Sequence, residues 1–259
     1  MPPLLYEDPV LLRGDLHKHA ALLACESFQF AASVVAVPLN ASEFALAARC
    51  YPIVFADTET TVPLAVLGLG GDSNLFVDGE GRWSDGAYVP AYVRRYPFLP
   101  VTTPNSDALM LAIDRPRLIE RDGMVPADAN GLFDGDTASP LAARALDYCE
   151  RYHRDHLRTV EFVSGLRERD LLETRRADIH LPDQSQFRID GFRMIDRAKL
   201  RALPDNCLGD WFRKGWLDLA ALAETSQANW QTLLDRQAAR AAANTPPARQ
   251  RSTRKRADA

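Results

Sequence analysis

The sequence has few lysines, no paired cysteines and no long apolar run. Four of its 31 basic residues are lysines, and its four cysteines lie far apart without a CxxC pair. This spacing suits neither a zinc site nor a small disulfide scaffold. The most apolar window, residues 28–39, is interrupted by polar residues and Pro38 and is too short to span a bilayer. The chain begins without a basic segment followed by an apolar one, so we expect no secretory signal and no membrane insertion.

Motifs of common enzyme classes are missing as well. The sequence contains no GxSxG motif and no GK[ST] phosphate loop, and the glycines of VLGLGGDSN precede a strand-like run and not a helix. A net charge of −4 argues against a protein that coats nucleic acid. With 46% hydrophobic and 25% charged residues, the composition is typical of a soluble globular protein. We expect a soluble protein in the reducing cytoplasm.

The five histidines are scattered, and their spacing predicts no metal site. His17 and His19 have no third ligand near them in the sequence. His153 and Asp155 point about 200° apart on a helix, so they cannot share a metal with a distal His180. We therefore predict neither a bound metal nor another cofactor, and we interpret the segment around His153 as a solvated helix face.

Apolar periodicity in the first half predicts a mostly antiparallel sheet with helices packed on it. Residues 27–37 resemble a buried strand. Asn40, followed three positions later by Glu43, predicts a capping box that begins a helix. Two apolar runs separated by glycines, residues 63–69 and 74–78, predict a hairpin.

The second half predicts helices around another hairpin. Ser139 followed by Pro140 is a favoured helix start. Alternating residues on either side of PDQSQ predict the hairpin, and two C-terminal helices follow. From Gln237 onward six basic residues stand against one acidic residue, which predicts a disordered tail and at most a weak nucleic-acid partner.

Together these patterns predict an α+β fold with three parts. Residues 1–138 form a sheet-and-helix unit, residues 139–236 form a helix, a hairpin and C-terminal helices, and residues 237–259 form the tail. We expect the first two parts to share an interface and to act as one functional unit.

The segment GAYVPAYVRRYPF, residues 86–98, is the densest aromatic and basic stretch. If Pro90 begins a short helix and Pro97 ends it, its three tyrosines lie four residues apart on one ridge. Arg94 and Arg95 then lie mostly on the other side, nearer solvent.

Two interpretations of this segment stay open. In the first, the aromatic ridge seals the helix against the sheet and is part of the core. In the second, an aromatic groove with an arginine fork binds the carboxylate or phosphate of a peptide. The second interpretation predicts a binding site made of Trp83, Tyr88, Tyr92, Arg94 and Arg95.

The sequence resembles the bacterial SapC family in the order and spacing of several blocks. These are VPLNASEFALAARCYPIVF, AVLGLGGDSNLFVDGEGRW, YVPAYVRRYPF, LLE and FRIDGFRMIDRAKLRALPD, within a resemblance from about His17 to Trp230. The family name is linked to surface-layer and serum-resistance loci, and members are often described as peptide-transport components. The resemblance implies a role connected with surface or uptake systems and supplies no catalytic residues.

The leading functional hypothesis is a non-catalytic cytoplasmic binding or accessory protein for a peptide or protein partner. The alternative is an enzyme or enzyme subunit in an oxidative, metal-dependent modification pathway. The sequence shows no convincing ligand triad, which favours the first hypothesis.

Overall fold

The computed structural model describes residues 3–70, 73–103, 106–120, 130–180 and 186–244. The helices in these ranges are α1 (Gly14–His17), α2 (Phe44–Ala47), α3 (Ala91–Arg94), α4 (Pro140–Glu168), α5 (Arg197–Arg201), α6 (Asp205–Arg213), α7 (Trp216–Thr225) and α8 (Asn229–Asn244). The strands are β1 (Pro9–Leu11), β2 (Ala21–Leu22), β3 (Ala36–Pro38), β4 (Ile53–Ala56), β5 (Pro63–Val66), β6 (Phe98–Thr103), β7 (Ser106–Asp114), β8 (Leu118–Ile119), β9 (Asn130–Gly131), β10 (Phe133–Asp134), β11 (Thr137–Ala138), β12 (Leu172–His180) and β13 (Gln186–Ile195).

The strands pair antiparallel, which confirms the predicted α+β class. The largest sheet has five strands in the order β12-β13-β4-β5-β3. A three-stranded sheet has the order β1-β7-β6, and short strands form the sheets β8-β2-β9 and β10-β11. The five-stranded sheet joins strands from both halves of the chain.

Helix α4 connects two apolar cores. Ser139 caps it as predicted, because the Ser139 hydroxyl accepts the Ala142 N–H at 3.3 Å and Pro140 occupies the first turn. The first half of α4 packs into a smaller core with β6 and β7, through residues such as Cys149. The second half packs into the main core beneath the five-stranded sheet, where Phe162 is fully buried. The middle of α4 therefore lies where the two cores meet.

Two predicted strand elements of the first half are wrong. The stretch 27–37 begins with a 3-10 helix, Gln29–Ala31, and becomes a strand only at Ala36. The runs 63–69 and 74–78 do not pair as a hairpin, because β5 pairs with β3 and β4 instead. Asn74 accounts for the difference, since its side chain bonds the Ala31 carbonyl and the Phe76 N–H and so turns the chain.

The C-terminal half forms the predicted hairpin, β12 with β13, and four helices where two were expected. Helix α8 continues to Asn244, so residues 237–244 are not part of a loose tail. Arg240 explains this extension, because it donates hydrogen bonds to the Ser73 hydroxyl at 2.6 Å and to the Val77 carbonyl at 3.0 Å. The rest of the predicted tail, residues 245–259, lies outside the described residues.

The helices in the described ranges are all too short or too polar to cross a membrane.

Candidate functional site

One buried carboxylate, Glu43, makes several of the hydrogen bonds that fasten the segment 86–98 to the rest of the fold. Its Oε1 atom accepts the Ala91 N–H at 2.7 Å and the Tyr88 hydroxyl at 2.8 Å. Its Oε2 atom accepts the Asn40 N–H at 2.9 Å, which completes the predicted capping box. Burial raises the pKa of Glu43, and the three donors oppose that rise because they favour the ionised form. A residue far away in the sequence therefore helps to fix the position of the segment.

Three of the five predicted binding residues hold this part of the fold together. Trp83 is buried, and its indole N–H donates to the Tyr51 hydroxyl at 3.1 Å. Tyr88 is half-buried, and its hydroxyl accepts a hydrogen bond from Arg94 Nη2 at 2.9 Å. Arg94 is exposed and also donates Nε–H to the Val89 carbonyl at 2.9 Å. The Arg94 guanidinium is thus already engaged by its own segment.

Arg95 is buried, in contrast to the predicted position nearer solvent. Only 7% of the residue is exposed, and its guanidinium carbon lies 4.2 Å from the ring centroid of Tyr92 and 4.6 Å from that of Tyr152. The ring centroid of Tyr6 lies 5.8 Å from the same guanidinium carbon. Tyr6 comes from the N-terminal segment and Tyr152 from α4, so both enclose Arg95 from distant parts of the chain.

The charge of Arg95 has no carboxylate partner among the described residues. Its Nε–H is buried and makes no hydrogen bond. Burial alone would lower the pKa of Arg95, but the neighbouring hydroxyls of Tyr6, Tyr152 and Tyr92 raise it, so the guanidinium stays charged. Burial also raises the pKa of each of these tyrosines, which leaves them neutral at physiological pH. The site therefore holds one buried and uncompensated positive charge.

Arg95 and Tyr92 line a cavity of about 330 Å³ between the middle of α4, the ends of β3 and β5, and the start of β6. Its walls are mainly apolar and include Leu39, Leu99 and Val163. No aspartate or glutamate belongs to the described residues that line it. Of the five predicted site residues, only Tyr92 and Arg95 border this cavity. The arrangement suits an anionic group attached to an apolar body.

Two histidines that the sequence placed on a solvated helix face also line the cavity. His153 and His156 are both half-buried on α4, one turn apart. Burial lowers the pKa of His156, and the neighbouring His153 and Arg95 lower it further. Sequence reasoning missed this side of the site. The spacing of Tyr152 and His156, four residues apart, could have indicated that both lie on the same helix face.

The pKa of His156 predicts a pH-dependent stability. Because the pKa of His156 is lowered from the ordinary 6.5, the unfolded chain takes up a proton at a higher pH than the folded chain. The stability that neutral His156 contributes is present above pH 6.5 and decreases as the pH falls through its folded pKa. We expect wild-type protein to lose more stability than His156→Gln in urea titrations as the pH falls from neutral to mildly acidic. Parallel curves for the two proteins would contradict the assignment.

The described residues contain no group of three or more His, Cys, Asp or Glu side chains placed to hold a metal ion. His17 belongs to α1, and its Nδ1 atom accepts the Arg13 N–H at 3.1 Å. The side chain of His180 lies outside what the structure describes.

Comparison with known proteins identifies the family and little beyond it. No curated protein and no solved structure matches the chain significantly. The sequence profile of the SapC family matches residues 12–233 of the 259 residues. This range includes the sheet strands β4, β5, β12 and β13, helix α4 and, except for Pro3, the described residues that line the cavity around Arg95. The chain therefore belongs to the SapC family.

Proposed function

We propose that this protein is a non-catalytic cytoplasmic binding or accessory protein for a peptide or protein partner connected with surface or uptake systems. The partner places an anionic group against Arg95 in the cavity. The observation that carries the proposal is the buried guanidinium without a carboxylate partner.

The energetics of burial support a binding role for Arg95. Removing a charge from water costs several kcal/mol, and a buried charge is normally paired with one of opposite sign. Cation–π contacts with Tyr92 and Tyr152 each offset about 2 kcal/mol of this desolvation cost. They do not neutralise the charge of Arg95. A bound anion would supply the missing partner and form charge-assisted hydrogen bonds.

The surroundings of the charge favour a peptide over a nucleic acid. Nucleic-acid binding draws on many basic contacts along a phosphate backbone. The cavity offers one permanent positive charge, Arg95, between apolar walls. Such a site matches one acidic group of a polypeptide with an apolar neighbour.

The alternative of an oxidative, metal-dependent enzyme or enzyme subunit stays a hypothesis without a residue set. The described residues supply no ligand cluster on which to build it.

A pair of peptide arrays tests the proposal. One array displays acidic peptides attached through their C-termini, and the other displays peptides with free C-termini. We expect wild-type protein and Arg94→Met to bind the same subset of anionic peptides, and Arg95→Met to lose that subset. If Arg95 is kept for binding, Arg95→Met should also change the free energy of unfolding by less than about 1 kcal/mol, because the desolvation cost that the substitution removes offsets the cation–π contacts that it loses. Absence of anion-dependent binding on both arrays would overturn the proposal.

A further inference from the structure

The cavity around Arg95 has the charge of a site for a single carboxylate. Arg95 provides one positive charge, and no acidic residue among the described lining residues offsets it. Tyr92 and Tyr152 are neutral because burial raises their pKa values, and His156 is kept neutral at pH 7 because burial lowers its pKa. One negative charge balances this site, whereas a doubly charged phosphate would leave one charge unmatched in an apolar environment.

The size and walls of the cavity define what lies beside that carboxylate. A volume of about 330 Å³ corresponds to about ten water molecules at their liquid volume. That is room for one apolar amino acid with its carboxylate, and not for a long segment of chain. The walls of the cavity include Leu39, Leu99, Val160 and Val163, which favour contact with an apolar side chain over a polar one.

These features together point to the end of a polypeptide chain. An internal acidic side chain has backbone on both sides, and those peptide groups would need hydrogen-bond partners in a mainly apolar cavity. A terminal carboxylate has backbone on one side only, so the rest of the partner can leave through the opening near the exposed Val160. We propose that the cavity captures the C-terminal carboxylate and the apolar last side chain of a partner polypeptide. This inference rests on the proposed function and narrows it to one kind of peptide end.

The test uses short acetylated glycine–serine peptides and isothermal titration calorimetry with the full chain. One peptide ends in leucine with a free carboxylate, and the second is its C-terminal amide. A third ends in serine with a free carboxylate, and a fourth is amidated and carries an internal glutamate. We expect the leucine acid to bind roughly tenfold or more tightly than each of the others. The amide lacks the charge that pairs with Arg95, the serine acid lacks an apolar side chain for the walls to bury, and the internal glutamate brings backbone on both sides.

Two variants connect this preference to the cavity. Arg95→Met should remove the difference between the acid and the amide. Val160→Trp, at a half-exposed rim position, should weaken the leucine acid while leaving Arg95 and the fold intact, as judged by an unchanged thermal melt. Arg94→Met serves as the control and should bind like wild type.

The outcomes separate this inference from the broader function. Equal binding of the leucine acid and its amide would overturn it, and so would equal or tighter binding of the internal glutamate peptide, which supports the broader function alone. Binding of free octanoate without binding of any peptide would overturn both, since the ligand would then be a small acid. Because the acid and amide are compared on wild-type protein, the test holds even if a variant fails to fold.

Discussion

Replacing Glu43 with alanine is expected to lower the free energy of unfolding by about 3 kcal/mol. The substitution leaves three donors without their acceptor, namely the N–H groups of Asn40 and Ala91 and the hydroxyl of Tyr88. Each buried donor without a partner costs about 1–3 kcal/mol, and relief of the desolvation of Glu43 offsets part of the sum. Urea denaturation at neutral pH measures the change.

Two further substitutions sharpen the Glu43 experiment. Glu43→Gln keeps one carbonyl oxygen as acceptor for Tyr88 and Ala91 but turns an amide donor toward the Asn40 N–H. Its loss of stability should therefore be clearly smaller than that of Glu43→Ala. Glu150→Ala removes an exposed glutamate from α4 and should change stability by about 0.5 kcal/mol or less. A Glu43→Ala protein as stable as Glu150→Ala would show that the carboxylate does not fasten the segment 86–98.

Glu43 also shows how far the sequence predicts the site. The capping box with Asn40 is a local pattern, three residues apart, and it is confirmed. The bond to Tyr88 spans 45 residues, and no local periodicity encodes a contact at that separation. The sequence therefore predicts Glu43 and the helix that it begins, but not the hydrogen bonds of Glu43 with the segment 86–98.

The prediction that Arg94 and Arg95 both lie nearer solvent is wrong for Arg95. At about 100° per residue, Arg94 lies about 200° from Tyr92, but Arg95 lies only about 60° from it, so helical spacing itself favours Arg95 on the tyrosine side of α3. The burial of Arg95 depends on Tyr6 and Tyr152, which come from separate elements of the fold. The choice between core and binding surface has no single answer for this segment, because Val93 is core while Arg95 lines a cavity.

The fold itself was predictable where the signals were local. The start of α4 at Ser139 and the hairpin of β12 with β13 follow from capping and alternation, and both are confirmed. The supposed hairpin of residues 63–78 is wrong because alternation identifies strands without naming their partners. The predicted start of the tail at Gln237 is wrong. The basic composition of this stretch predicts disorder, but Arg240 forms hydrogen bonds with the folded part of the chain.

A second large effect is expected where α4 meets the C-terminal helices, at Gly165. A β-carbon added at Gly165 would lie 3.1 Å from two ring atoms of Trp216 and closer still to Cζ3. The indole cannot easily move aside, because its ring packs edge-on against Trp211 at 5.3 Å and against Phe162 at 6.0 Å. Overpacking of this kind costs about 1–3 kcal/mol. We therefore expect Gly165→Ala to lower the free energy of unfolding by about 2 kcal/mol, despite the better helix propensity of alanine.

Gly209 provides a matched control for this substitution. It lies inside α6, where an added β-carbon would meet nothing closer than the flexible end of Arg213 at 3.8 Å. Gly209→Ala should therefore stabilise the protein by roughly 0.5–1 kcal/mol through helix propensity alone. In a Trp216→Leu background, Gly165→Ala should lose most of its cost, since the clashing ring is gone, and urea denaturation of the four proteins in this cycle measures the coupling. If Gly165→Ala stabilised the wild-type protein as Gly209→Ala does, the close packing of α4 against Trp216 would be contradicted.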